Sequence, residues 1–114
     1  MTSILTSIKK LLGITEDYDH FDADIIMHIN SVFMILNQLG VGPKEGFRIE
    51  DETSTWNDYL GDSIMLESAK TYIYLRVRLL FDSTTLSSTV IESMKQTISE
   101  LEWRLNITAD STQS

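Results

Sequence analysis

The 114-residue chain contains no cysteine, which excludes disulfides, thiolate nucleophiles and cysteine-ligated zinc. It has one proline and five glycines, and all but Gly13 of these fall between residues 40 and 61, so the chain-breaking residues sit in one segment. No apolar run reaches the roughly 18 residues that a membrane-spanning helix requires. Positive charge is also scarce: nine Lys and Arg stand against 17 Asp and Glu, giving a net charge of −8. A protein that grips a phosphate backbone needs clustered cations to displace counterions, so tight nucleic-acid binding is not expected. The first ten residues do not read as a signal peptide, because Lys9 and Lys10 follow the apolar residues. The default expectation is a cytoplasmic protein without a membrane segment.

What is present suits one globular domain. Hydrophobic residues make up 42% and charged residues 23% of the chain. A chain of this length buries about two-thirds of its unfolded surface, enough for a single core. The charge is uneven: residues 14–67 hold twelve carboxylates against only Lys44 and Arg48, while residues 68–114 balance. Solubility is the simplest use of that excess.

Apolar spacing is helical over most of the chain. Ile4, Leu5, Ile8, Leu11 and Leu12 share one face of a first helix, capped by Thr2 or Ser3 and ended by Gly13. A polar connector covers 14–21. A second helix is expected from Asp22, as N-cap, to Leu39, with Ile25, Ile29, Val32, Phe33, Leu36 and Leu39 inward. Segment 40–61 is irregular; Phe47-Arg-Ile alternates as a short edge strand would, and Thr55–Leu60 allows one helical turn. A third long helix is expected over 62–81, with a wide arc of Ile64, Met65, Ala69, Tyr72, Ile73, Leu75, Leu79 and Leu80. After a turn at 82–88, Thr89 and Glu92 fit a capping box opening a last helix to about Asn106. Its expected core face is Val90, Ile91, Met94, Ile98, Leu101 and Leu105. The fold class is therefore all-α: a small bundle of about four helices with an irregular segment, containing a possible short β element, between helices 2 and 3. Residues 1–107 are expected to form the domain and 108–114 a flexible polar tail.

Chemistry-bearing patterns are weak. His20, Asp24 and His28 are spaced i, i+4, i+8, but helical drift and the lack of a fourth ligand argue against a metal site. Asp17, Asp19, Asp22 and Asp24 resemble a calcium loop only briefly, since its glycine and terminal glutamate positions hold Asp22 and His28. No phosphate loop, dinucleotide fingerprint or nucleophile elbow occurs. No catalytic activity, cofactor or metal is expected.

Three features point instead to partners. Trp103 lies roughly 160° from the centre of the last helix's core stripe, and Ile107 follows on the same side. Ala23, Met27 and Met34 form a second apolar stripe on the second helix. Arg76 interrupts the apolar arc of the third helix, where it must meet a carboxylate or reach an interface. Aromatic, Met and Arg residues are enriched at protein–protein surfaces.

Several segments together resemble a known family: Ile8-Lys-Lys-Leu-Leu-Gly-Ile14, an acidic connector, Asn37-Gln-Leu-Gly-Val41, Phe47 with Trp56, Lys70-Thr-Tyr-Ile-Tyr-Leu-Arg-Val-Arg-Leu-Leu-Phe-Asp82, and Met94-Lys-Gln-Thr-Ile-Ser-Glu-Leu-Glu-Trp-Arg-Leu105. The pattern is similar to the head–tail connector, or head-completion, proteins of tailed phages and prophages of Gram-positive bacteria. It covers the chain to about residue 106 and departs at Ser83-Thr-Thr, where relatives are expected to carry proline. The resemblance implies a structural virion protein, made in the bacterial cytoplasm, that forms a homo-oligomeric ring beneath the portal protein. DNA passes through that ring without specific binding, and the next connector or stopper docks on it. Trp103, Ile107, Met27, Met34, Arg76, Trp56 and Phe47 are the candidate contact residues. The competing expectation is a small cytoplasmic interaction or regulatory module.

Overall fold

The computed structural model describes residues 3–113. Among them are five α-helices: α1 (Ile4–Leu11), α2 (Asp22–Gln38), α3 (Trp56–Leu60), α4 (Leu66–Asp82) and α5 (Ser88–Gln113), with a 3-10 turn at Ser83–Thr85 before α5. The all-α bundle expected from periodicity is the observed fold.

The first helix starts because the Ser3 side chain accepts a hydrogen bond from the Thr6 N–H. It ends at Gly13, whose φ of +83° suits a residue without a Cβ, and the Ile14 N–H bonds back to the Lys9 carbonyl. Ile4, Leu5 and Ile8 enter the core, whereas Leu11, expected on the same face, is 53% exposed.

Asp22 does not cap α2. Phe21 holds the N-cap position without a side-chain cap bond, and the Asp22 carboxylate pairs with the Lys9 ammonium at 2.8 Å. Lys9 is 3% exposed and also donates to the Glu16 carbonyl at 3.0 Å. A buried charge needs such partners, so this lysine ties α1, the connector and the start of α2 together. The buried stripe of α2 is Ile25, Ile29, Val32, Phe33 and Leu36.

The middle segment contains no strand at Phe47–Ile49. The β element there is reduced to an isolated antiparallel bridge between Ser3 and Thr55. Order comes instead from side chains on α2, described below, and from α3, which the Thr55–Asp58 capping box opens. Its Trp56 and Tyr59 are both buried.

α4 begins at Leu66, not at 62, and leaves Ile64 outside the helix and 86% exposed. It packs on both α2 and α5, contributing Ala69, Tyr72, Ile73 and Val77 to the core. The α5 N-terminus lies two residues earlier than the expected Thr89 cap: the Ser87 hydroxyl accepts from the Val90 N–H. The helix then continues past the expected end near Asn106 to Gln113, and Ala109 is buried. Of the expected α5 core face, Ile98 and Leu105 are buried while Val90 is 44% exposed.

α4 packs on both α2 and α5, the Asn106 amide of α5 donates to the Leu39 carbonyl at the end of α2 at 3.1 Å, and the helices form a flat slab of 43 × 35 × 19 Å. α1 lies against α2.

Candidate interaction surfaces

A concavity of about 720 Å³ runs along the face of α2 turned away from its buried stripe. Its apolar part is Ala23, Ile26, Met27, Phe33, Met34 and Phe47, and its polar part includes Asn30, Asn37, Glu45 and Arg48. Met27 and Met34 are 58% and 66% exposed. Phe47 is half-buried, edge-on to Phe33 at 5.1 Å and beside Tyr59 at 5.1 Å.

Two asparagines on α2 build the opposite wall. The Asn30 amide donates to the Ile49 carbonyl at 2.9 Å and its oxygen accepts from the Ile49 N–H at 2.8 Å. One side chain thus satisfies both backbone groups of a fully buried residue, as a paired strand would. Seven residues on, the Asn37 amide donates to the Pro43 carbonyl at 3.1 Å and more weakly to that of Lys44 at 3.5 Å. These contacts hold segment 43–49 against α2 and leave the groove between them. Neither asparagine stood out in the sequence, because a polar residue on an exposed helix flank reads as solvated.

The second surface is the outer side of α5. Trp103 is 66% exposed and Ile107, one turn on, is 42% exposed. Glu92, Glu100 and Asp110 are also exposed and fall within about 60° of Trp103 at 100° per residue. Arg104 pairs with Glu100 at 2.6 Å.

The other candidates have internal roles. Arg76 meets its carboxylate within the chain: its guanidinium binds Glu102 at 2.6 Å and donates from Nε to the Tyr72 hydroxyl at 2.7 Å. The Tyr72 hydroxyl donates to the same Glu102 oxygen at 2.6 Å. Burial alone would raise the Glu102 carboxyl, but the hydrogen bonds from Tyr72 and Arg76 outweigh it and hold the group below its ordinary value. Trp56 is not a surface residue. It is 4% exposed, and its indole N–H donates to the Ser7 hydroxyl at 3.1 Å. Its place in the core corrects its reading as a contact residue: a five-residue helix gave too little periodicity to show which way it faced.

A third feature is electrostatic. Glu16, Asp17, Asp19 and Asp22 of the connector share one depression with Glu52 of the middle segment. The fold thus brings two acidic stretches to one edge around Lys9. His20 packs edge-on to Phe21 at 4.8 Å in the turn before α2. Among the described residues no group of three His, Cys, Asp or Glu side chains is placed to hold a metal, and no helix is long and apolar enough to cross a membrane.

No curated protein and no solved structure matches the chain. The sequence model of one family, described as phage connector protein, matches residues 4–112, which spans α1 to the last turn of α5. A match over almost the whole fold places the chain in the phage connector protein family.

Proposed function

We propose that the protein is a structural head–tail connector that assembles with copies of itself into a ring beneath the portal of a tailed-phage head. The ring extends the DNA channel and offers a docking surface to the next stopper or tail component. The chain acts in the virion after assembly in the host cytoplasm, and it works by contact, with no catalytic step.

One observation carries this reading beyond family membership: a slab-shaped fold with separate exposed apolar surfaces on α2 and on α5. A closed ring is built from heterologous contacts, so each subunit needs two different adhesive faces. The acidic edge supports the same reading, because carboxylates repel phosphates and let DNA move past without sticking.

The test is to mix the purified chain with the portal protein of the same phage and image the particles by electron microscopy. A ring capping the portal is the expected result. Filled heads that join tails normally after deletion of the gene would refute the proposal.

A further inference from the structure

Resting on the connector reading, we infer that the α2 groove of one subunit receives the Trp103–Ile107 ridge of a second copy. Three observations converge on that occupant.

The first is placement. The groove lies between α2 and segment 45–48 and no α5 residue lines it, while α5 is fixed elsewhere, to α4 and, through Asn106, to the Leu39 carbonyl at the end of α2. A chain cannot bring its own ridge into its own groove without dismantling the slab, whereas a neighbouring copy can. A contact joining two different faces leaves each face free on the terminal copies, so it propagates and closes if the rotation allows.

The second is shape and chemistry. The ridge presents an indole and a branched aliphatic chain one helical turn apart. The groove's about 720 Å³ lies within the roughly 300–1,000 Å³ of sites that enclose an apolar group. Met27 and Met34 are unbranched and adapt to an inserted ring, and thioether–aromatic contacts are favourable. Trp is enriched among the residues that dominate interface energy.

The third is charge. Lys44 and Arg48 are the only cations between residues 14 and 67. Arg48 lines the groove, and the Lys44 backbone is held beside it by Asn37. The ridge side carries Glu92, Glu100 and Asp110, with the exposed Lys95 and Arg104 at its margins. Glu45 also lines the groove, so Lys44 and Arg48 leave that side with a small positive excess, and the ridge side, with three carboxylates against Lys95 and Arg104, keeps a small negative one. Such complementarity fixes orientation and disfavours groove-to-groove pairing.

The absence of cysteine makes the test clean. Ser31→Cys lines the groove and Ser99→Cys lies one turn before Trp103; both changes are nearly isosteric and both positions are exposed. The two single variants are mixed at millimolar concentration, free and on the portal protein, and treated with a short bis-maleimide. The expected result is at least tenfold more cross-linked dimer from the mixture than from either variant alone. The chain carrying both cysteines should give a ladder of multimers, and adding Trp103→Ala to it should reduce the ladder at least tenfold. Equal cross-linking of Ser99→Cys with itself would show a two-fold symmetric contact and overturn the inference. Portal rings capped by the protein but free of mixed cross-links would overturn this pairing while leaving the connector reading intact. A ladder in free protein that never caps portals would support the pairing and refute the connector reading. No mixed product in either setting would refute the pairing.

Discussion

Arg76 and Glu102 meet at 2.6 Å across the seam between α4 and α5, with the Tyr72 hydroxyl bonded to both. One hydroxyl and one guanidinium therefore converge on a single carboxylate, and the long helix is fixed in register against the central one. This cluster explains how a charged residue is tolerated in the apolar arc of α4.

The cluster makes stability depend on acid in a defined direction. In the unfolded chain Glu102 titrates near its ordinary 4.5, and in the folded chain it titrates lower. The unfolded state therefore takes up the proton first as pH falls. The stabilisation is complete above about pH 4.5 and is lost as pH drops through the folded value. Glu102→Gln should cost about 1–3 kcal/mol at pH 7, since it leaves a half-buried guanidinium poorly paired. Urea melts between pH 7 and 3 should show wild type and variant converging at the acid end. Glu100→Gln, which breaks an exposed pair with Arg104, should cost no more than about 0.5 kcal/mol.

Gly42 and Gly13 both have positive φ, of +98° and +83°, but differ in surroundings. A Cβ on Gly42 would lie 2.7 Å from Cε1 of Tyr59, whereas one on Gly13 meets nothing within 4 Å. Gly13→Ala should therefore cost only the backbone preference, about 1–2 kcal/mol. Gly42→Ala should cost measurably more, because Tyr59 is wedged among Phe33 and Phe47 and cannot retreat freely. Thermal melts of the two variants should separate by several degrees. The Tyr59 hydroxyl is itself buried without a hydrogen-bond partner, and burial pushes its pKa above the ordinary range. Tyr59→Phe is expected to be neutral or stabilising in the same assay.

The end of α5 offers a third measurement. Ala109 is 1% exposed, although a polar tail was expected from residue 108 onward. Ending the chain after Ile107 removes that buried methyl and part of the last helical turns. The expected loss is about 1 kcal/mol, counting roughly 0.8 kcal/mol per buried methylene equivalent. Differential scanning calorimetry should show a lower Tm, and an unchanged Tm would mean that residues 108–114 add nothing to the fold.

The long helices were legible because many apolar residues repeat at a 3.6-residue period, and Trp103 was legible because it broke that period on the far side. The middle segment was not, because its order is supplied from elsewhere: Asn30 and Asn37 reach from α2 to bond its backbone. Nothing local to residues 43–49 encodes that. Lys9 was equally silent, since a lysine near a helix end reads as solvated until Asp22 and the Glu16 carbonyl are seen to close around it. The α5 terminus was misjudged for a related reason. Thr, Asp and Ser lower helix propensity, but Leu105 and Ala109 are held against the core and tertiary packing prevails.

The two tryptophans give the sharpest contrast between core and contact surface. Trp56 is 4% exposed and bonded to Ser7, while Trp103 is 66% exposed. Trp56→Ala removes a packed ring and leaves a cavity, so a loss of about 3–5 kcal/mol is expected, enough to unfold a marginal domain. Trp103→Ala removes a ring that water already reaches, and its effect on the monomer should stay within about 0.5 kcal/mol. Fluorescence separates the two without relying on stability. In the Trp56→Phe protein, which keeps an apolar ring in the core, the remaining Trp103 emission should be red-shifted and readily quenched by iodide at low concentration. Burial against a second subunit should shift it to the blue and protect it as concentration rises. A Trp103 signal that is already blue-shifted and protected at micromolar dilution would place that ring inside the monomer, contrary to its 66% exposure.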